Sequence, residues 1–155
     1  MKIELKNIKE VKALSEETPC FTATVYIDGK KAGEVSNHGT GGCNNYHPRA
    51  LYTRITEYAD TLPTYSAFGM DGLKVDADTL IFRAMDVAQT GKALARILKN
   101  RVLFIKADGK LYQTRKITTN DVARLCAAGV PNAVKVLNTM PIDEAVAAYI
   151  AAGGQ

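Results

Sequence analysis

The chain has 155 residues, of which 46% are apolar and 23% are charged, and its formal net charge is +4. This composition excludes an intrinsically disordered chain, which would be poorer in apolar residues and more strongly charged. No apolar run approaches the about twenty residues of a membrane-spanning helix, and the charged segment MKIELKNIKEVK is unlike a signal peptide. We therefore expect one compact cytoplasmic domain over residues 1–155, with no membrane partner.

The cysteine content agrees with that compartment. Cys20, Cys43 and Cys126 form an odd set without CxxC spacing. Such a set argues against a disulfide framework and is typical of proteins in a reducing compartment.

The N-terminal part of the chain predicts a strand followed by a β-hairpin. Apolar and charged residues alternate over residues 3–6, which is the two-residue period of a half-buried strand. The same period runs through residues 20–35, where Asp28-Gly29 suits the positive φ angles of a tight turn. We expect this hairpin to have one apolar face and one polar face.

A helix and a connecting loop follow the hairpin. Pro48 suits the first helical position because it lacks an amide hydrogen, and apolar residues then recur at helical spacing, which predicts a helix over residues 48–62. Glycine and proline without a sustained period predict a loop after it, with a possible subdivision of the domain near 63–76. Three large side chains in this loop suit a contact patch: Tyr65, Phe68 and Met70.

The second half of the chain opens with a long helix and a second hairpin. From Leu80 to Leu98, apolar residues recur in steps of three and four, and Gly91 is a point at which this helix would divide. Residues 101–116 repeat the hairpin pattern around Asp108-Gly109.

Three shorter helices are predicted for the C-terminal helical part, residues 118–155. TTND at 118–121 is a capping box with Asp in place of the usual Glu, and Gly129 suits the end of the helix that it opens. Pro131 and Pro141 mark the starts of two further helices. Hairpins without a βαβ rhythm predict an α+β fold, in which an antiparallel sheet of the N-terminal strand and both hairpins is packed by about five helices.

The charge is unevenly distributed along the chain. Residues 92–116 carry eight basic side chains against Asp108 alone, a local charge of +7. These basic residues are Lys92, Arg96, Lys99, Arg101, Lys106, Lys110, Arg115 and Lys116. A positive face of this kind attracts polyanions or an acidic protein surface, although an ordinary solvated surface has the same composition.

The second hairpin adds aromatic residues to this basic segment. Phe104 and Tyr112 are interleaved with its cations, and aromatic side chains stack on the bases of single-stranded nucleic acids. No helix-turn-helix, RNP or zinc-finger signature is present, so the pattern favours contacts to phosphates over sequence-specific reading of bases.

The segment SNHGTGGCNNYHP, residues 36–48, contains both histidines of the chain. His38, Cys43 and His47 are three candidate zinc ligands, with Cys20 as a fourth if the hairpin brings it close. Alternatively, Cys43 is a candidate thiolate nucleophile near a helix N-terminus, with a histidine as its base.

Two further interpretations of the same segment use its glycines and asparagines. Three glycines allow close approach of backbone amides to an anion, and Asn44, Asn45 and Tyr46 add hydrogen-bonding side chains for a ligand. Alternatively, the segment is a structural bend, in which glycines take positive φ angles and asparagines make local turn bonds. The segment fits neither the GxGxxG nor the Walker pattern.

The stretch VYIDGKKAGEVSNHGTGGCNNYHP resembles small uncharacterised proteins of bacteriophages and prophages. This resemblance implies a phage or mobile-element accessory protein that acts by binding host machinery, with inhibition of host defence as one version. We expect a non-enzymatic protein that binds nucleic acid, or a nucleic-acid-handling host complex, through its basic face. The alternatives are a zinc-binding or Cys/His-dependent enzyme centred on residues 36–48 and a charge-independent protein-protein adaptor.

Overall fold

The computed structural model describes residues 1–67 and 69–154. The chain forms two compact units, Met1–Ala88 and Gln89–Gln155, each with its own apolar cluster. The boundary falls inside the longest helix, whereas the sequence placed a possible subdivision near residues 63–76. The α+β class that the sequence predicts is confirmed for the described residues.

The first unit is built on a four-stranded antiparallel sheet. Its strands follow chain order: β1 (Ile3–Glu10), β2 (Cys20–Ile27), β3 (Lys30–His38) and β4 (Asn45–His47). Helix α1 (Arg49–Ala59) follows, and the helix that starts at Ala77 begins in this unit.

The predicted first hairpin is confirmed. Strands β2 and β3 pair from Ile27 opposite Lys30 to Cys20 opposite His38. Asp28 and Gly29 have φ angles of 50° and 79°, which are the left-handed values that the tight turn needs.

The core of the first unit follows from the alternation in β2. Phe21, Val25 and Ile27 are almost fully buried on one face of the sheet. Ile55 of α1 and Ile81 of the next helix have no exposed surface and belong to the same cluster. Burying an aliphatic side chain of this size contributes about 1.5 to 3 kcal/mol, so this cluster holds the sheet against its helices.

The loop predicted after α1 contains secondary structure. Strands β5 (Tyr65–Ala67) and β6 (Met70–Leu73) form a short antiparallel hairpin. Its strands are too short for a sequence period to show them. Phe68, part of the predicted contact patch, lies outside the described residues, while Met70 is exposed and Tyr65 is half-buried.

Helix α2 (Ala77–Leu98) is continuous. The sequence suggested that Gly91 would divide it, but the helix runs through this residue, and a methyl group there would only touch Val146 at an ordinary 3.5 Å. Its N-terminus is capped, because the Asp76 carboxylate accepts a hydrogen bond of 2.7 Å from the backbone N–H of Thr79.

The second unit has its own three-stranded sheet, in the order β8 (Leu111–Gln113), β7 (Leu103–Lys106), β9 (Ala133–Val136). The prediction that both hairpins join one sheet is therefore wrong. The remaining elements are α3 (Thr119–Ala128), a 3-10 turn (Leu137–Thr139) and α4 (Ile142–Ala151).

The described residues contain four α-helices, and the predicted number of about five is slightly too high. The segment after Pro131 forms strand β9, because its residues pair with β7 from Ala133 opposite Lys106 to Val136 opposite Phe104. Of the predicted capping box, the Thr118 N-cap is confirmed, while the Asp121 carboxylate accepts from the Thr118 hydroxyl instead of the Thr118 backbone N–H. The Thr118 hydroxyl accepts from the backbone N–H of Asp121, and Gly129 ends α3 with φ of 80°.

None of the described helices combines the length and the apolar character that crossing a membrane requires.

Candidate nucleic-acid interface

The sheet of the second unit separates an apolar face from an aromatic and basic face. Leu103 and Ile105 of β7 belong to the apolar cluster of this unit, together with Leu94 of α2. Side chains alternate along a strand, so Phe104 and Lys106 lie on the other face. Neither residue is part of the apolar cluster.

Phe104 and Lys106 form a compact group with Tyr112, which we name the aromatic face. Phe104 and Tyr112 are cross-strand partners, with ring centroids 5.8 Å apart and ring planes 18° apart. The Lys106 ammonium lies 4.3 Å from the Tyr112 centroid and 5.9 Å from the Phe104 centroid. All three side chains are half-buried, so each keeps some accessible surface. The group therefore offers ring surface and positive charge to one ligand.

Asp108 in the hairpin turn fixes the orientation of Tyr112. The Tyr112 hydroxyl donates a hydrogen bond of 2.8 Å to Asp108, which also accepts one of 3.0 Å from the Lys110 backbone N–H. The Asp108 bond raises the pKa of Tyr112, because it favours the neutral phenol. The Lys110 amide and the Tyr112 hydroxyl in turn lower the pKa of Asp108.

Three of the predicted cations form a stripe on α2. Lys92, Arg96 and Lys99 are exposed and are separated by four and three residues, so they share one side of the helix. Leu94 and Leu98, on the opposite side, belong to the apolar cluster of the second unit. The stripe therefore points away from that cluster.

The other cations lie at the two ends of the hairpin. Lys110 follows the turn and is exposed. At the open end, the Arg101 guanidinium donates to the Thr114 carbonyl at 3.4 Å, so the exposed residues Arg115 and Lys116 leave the hairpin beside Arg101. The structure thus distributes the eight cations over the helix stripe, the aromatic face with its turn, and the open end of the hairpin.

None of these eight cations forms an ion pair with a carboxylate of residues 1–67 or 69–154. By contrast, Arg124 of α3 lies 3.7 Å from Asp121, and Lys31 of β3 lies 3.5 Å from Glu34. The positive charge of residues 92–116 therefore remains available to a partner.

Asn138 positions the sheet, and sequence reasoning missed it. Its side-chain amide donates to the backbone carbonyls of Leu98 and Arg101 at 3.0 and 2.9 Å, and its oxygen accepts from the Leu103 N–H at 2.9 Å. These bonds connect the end of α2 with the start of β7. A lone asparagine after a short strand carries no signal in the sequence that separates it from an ordinary turn residue.

The segment of residues 36–48 is organised around a buried asparagine. The Asn37 oxygen accepts from the Thr18 hydroxyl and the Gly39 N–H, and its nitrogen donates to the Gly42 carbonyl and to Asn44. Gly39 has φ of 89°, and a Cβ there would collide with the Leu14 carbonyl oxygen. These contacts support the structural interpretation of the bend.

The predicted binding residues of this segment have different environments. The backbone N–H and side-chain amide of Asn44 donate to Asp78 at 3.3 and 2.9 Å, and the Tyr46 hydroxyl donates to it at 2.6 Å. Burial and this bond raise the pKa of Tyr46. Asn45 is exposed. Asn44 and Tyr46 therefore connect the bend to the first turn of α2.

The glycine amides of the same segment are also occupied. The Gly39 N–H donates to Asn37 at 2.8 Å, and the Gly41 N–H lies 3.3 Å from the Thr18 hydroxyl. Two of the amides predicted to approach an anion thus have intramolecular acceptors.

The predicted zinc ligands are not gathered into a site. His38 lies opposite Cys20 at one end of the β2–β3 pair, while His47 lies opposite Glu34 and Cys43 is exposed in the bend. Among residues 1–67 and 69–154, no group of three or more His, Cys, Asp or Glu side chains is arranged to hold a metal ion. Within the described part of the chain, Cys43 forms no hydrogen bond with either histidine, although the predicted nucleophile would need one.

No protein-family model, no curated protein and no solved structure matches this chain. The resemblance to phage and prophage proteins therefore stays a prediction.

Proposed function

We propose that this chain is a non-enzymatic binding protein that engages single-stranded nucleic acid through the aromatic face of its second unit. The observation that carries the proposal is the accessible Phe104–Tyr112 pair with the Lys106 ammonium beside it. The neighbouring cations at the turn and at the open end of the hairpin supply phosphate contacts. A role against host defence is one biological setting for such a protein.

The ring pair favours nucleic acid over a merely acidic protein surface. An acidic protein surface needs only the cations, whereas bases also use ring surface, and stacking contributes about 1 to 3 kcal/mol per base. The Asp108 bond holds Tyr112 in one orientation, so little side-chain entropy is lost when a base stacks on it. An aromatic surface carried by strands also provides stacking platforms for the unpaired bases of a flexible single strand.

The test measures the affinity of the purified chain for a fluorescently labelled oligothymidine by anisotropy over a range of salt concentrations. Tyr112→Val removes the ring and places a residue that also favours strands, and we expect binding at least about fivefold weaker. Lys106→Gln with Lys110→Gln removes two cations and should reduce the slope of log affinity against log salt by about 1.4.

The matched control is Lys30→Gln, because Lys30 is exposed and follows the Asp-Gly turn of the first hairpin as Lys110 follows that of the second. It should leave both affinity and salt slope unchanged. Equal binding by the parent chain and Tyr112→Val would overturn the proposal. Capture of a host protein that persists after nuclease treatment, with no oligothymidine binding, would point to a protein partner instead.

A further inference from the structure

The sheet of the first unit carries a groove of about 370 Å³ on the face turned away from the core. We name it the polar groove. Strand β1 lines its edge with Asn7 and Lys9, and β2, β3 and β4 contribute six polar side chains: Thr22, Thr24, Glu34, Ser36, Asn45 and His47. Ala23, Val35 and Tyr46 also line the groove, although their side chains pack on the core side of the sheet. A volume of this size lies within the range of small-molecule sites.

The strand register arranges these side chains in two rows. In the first row, Thr22 lies opposite Ser36, and Ser36 lies opposite Asn45. In the second row, Thr24 lies opposite Glu34, and Glu34 lies opposite His47. Neighbouring strands are about 4.8 Å apart, so each row presents hydrogen-bonding groups at a regular interval.

The four strands contribute different side chains to the groove. The two central strands supply the hydroxyls of Thr22, Thr24 and Ser36 and the Glu34 carboxylate, while Lys9 and His47 lie on the outer strands. Strand β1 also bulges at this point. Asn7 has φ of 54° and its amide lies 3.4 Å from the Thr24 hydroxyl. Bulges of this kind commonly redirect side chains beside binding sites.

Most of these polar groups lack an intramolecular partner. Within the described part of the chain, the side chains of Thr22, Ser36, Asn45 and His47 form no hydrogen bond or ion pair. Glu34 contacts Lys31 at 3.5 Å, but both side chains are well exposed, and such surface pairs contribute little. The groove therefore retains donors and acceptors for a ligand.

We propose that the polar groove binds a saccharide. Hydroxyl, amide and imidazole groups each pair with sugar hydroxyls as donor or acceptor, and the Glu34 carboxylate accepts from them more strongly. The spacing within a row is comparable with that of hydroxyls two carbons apart on a pyranose ring. This inference concerns the first unit and does not depend on nucleic-acid binding by the second.

The experiment follows backbone amide signals of ¹⁵N-labelled chain by NMR during separate titrations with glucose, galactose, mannose and inorganic phosphate. We expect at least one hexose to shift the amides of Thr22, Ser36 and Asn45 in a saturable manner. Phosphate tests whether Lys9 merely attracts an anion. Shifts of these amides with phosphate alone, or with none of the hexoses, would reject the saccharide.

A double variant, Thr22→Val with Ser36→Val, removes two hydroxyls and places residues that favour strands in both positions. It should bind the responsive hexose at least about fivefold more weakly. Thr53→Val, on the exposed side of α1, is the matched control and should bind as the parent does. Asn45→Ala on the edge strand gives a second test if the double variant does not fold. Undiminished hexose binding by the folded groove variant would also reject the proposal.

Discussion

The two sheets of this protein start from the same pattern and present different outer faces. Each contains a hairpin with an Asp-Gly turn and directs alternate apolar side chains into its own cluster. The first sheet carries short hydroxyl side chains such as Thr22 and Ser36 outside, which leaves a groove. The second carries the stacked rings of Phe104 and Tyr112 there, which form an aromatic surface. Because side chains alternate between the two faces of a strand, those on the inner face must be apolar to fill the core, whereas those on the outer face can differ between the two sheets.

The units also differ in the polar group that connects their elements. In the first unit, the charged Asp78 accepts three hydrogen bonds from Asn44 and Tyr46. In the second, the neutral Asn138 donates two and accepts one. Hydrogen bonds to a charged group are stronger than neutral ones, so removal of the first group should cost more.

The largest effect is expected from Asp78→Ala. It leaves the buried Asn44 amide and the Tyr46 hydroxyl without their acceptor, and we expect the free energy of unfolding to fall by about 2 to 4 kcal/mol. Urea denaturation measures this change, and amide exchange in β2 locates it. Asp86→Ala, an exposed residue on the same helix, serves as the control. If Asp78→Ala lowered the free energy of unfolding no more than Asp86→Ala does, the hydrogen bonds to Asp78 would not stabilise the first unit.

Asn138→Ala should have the next largest effect, about 1 to 3 kcal/mol, because it leaves the Leu98 and Arg101 carbonyls and the Leu103 N–H without this partner. Faster amide exchange at Leu103 is the direct measurement. Asn120→Ala at the exposed start of α3 is the matched control. If Asn138→Ala accelerated amide exchange in β2 as strongly as in β7, the two units would not be stabilised separately.

The smallest effect concerns the two Asp-Gly turns. Because its pKa is raised, the neutral Tyr112 contributes stability at neutral pH, and this contribution is lost as the pH rises through the folded-state pKa. Asp108→Asn should lower the pKa of Tyr112 toward the ordinary tyrosine value, measured by ultraviolet absorbance during alkaline titration. Asp28→Asn, in the other turn, should leave it unchanged. If both variants changed the pKa of Tyr112 by the same amount, the hydrogen bond to Asp108 would not be the cause of its raised pKa.

Local signals predicted much of the fold because their causes lie within a few residues. The turn at Asp28-Gly29 and the N-cap at Thr118 need only residues close in the chain, and both are confirmed. The sequence predicts a helix where strand β9 forms. The strand is missed because its four residues are too few to show a clear period and because it forms only by pairing with β7. The interval between apolar residues likewise does not say which of two sheets a hairpin will join.

The candidate sites show the same division. The positive charge of residues 92–116 and the interleaved Phe104 and Tyr112 are properties of the sequence alone. Tertiary structure decided that Lys106 lies over the Tyr112 ring, while the cations of α2 point away from the cluster of the second unit. It also assigned Asn44 and Tyr46 to a structural network and Asn45 and His47 to the polar groove.

The sequence by itself determined the α+β class, the hairpin turns, the two caps of α3 and the excess of positive charge, since each depends on neighbouring residues or on composition. Only the tertiary structure decided the partners of Asp78 and Asn138, which lie between 32 and 40 positions away in the chain. The physical reason is that a hydrogen bond between distant segments forms only after the cores have brought their backbones together, and no local preference encodes that meeting.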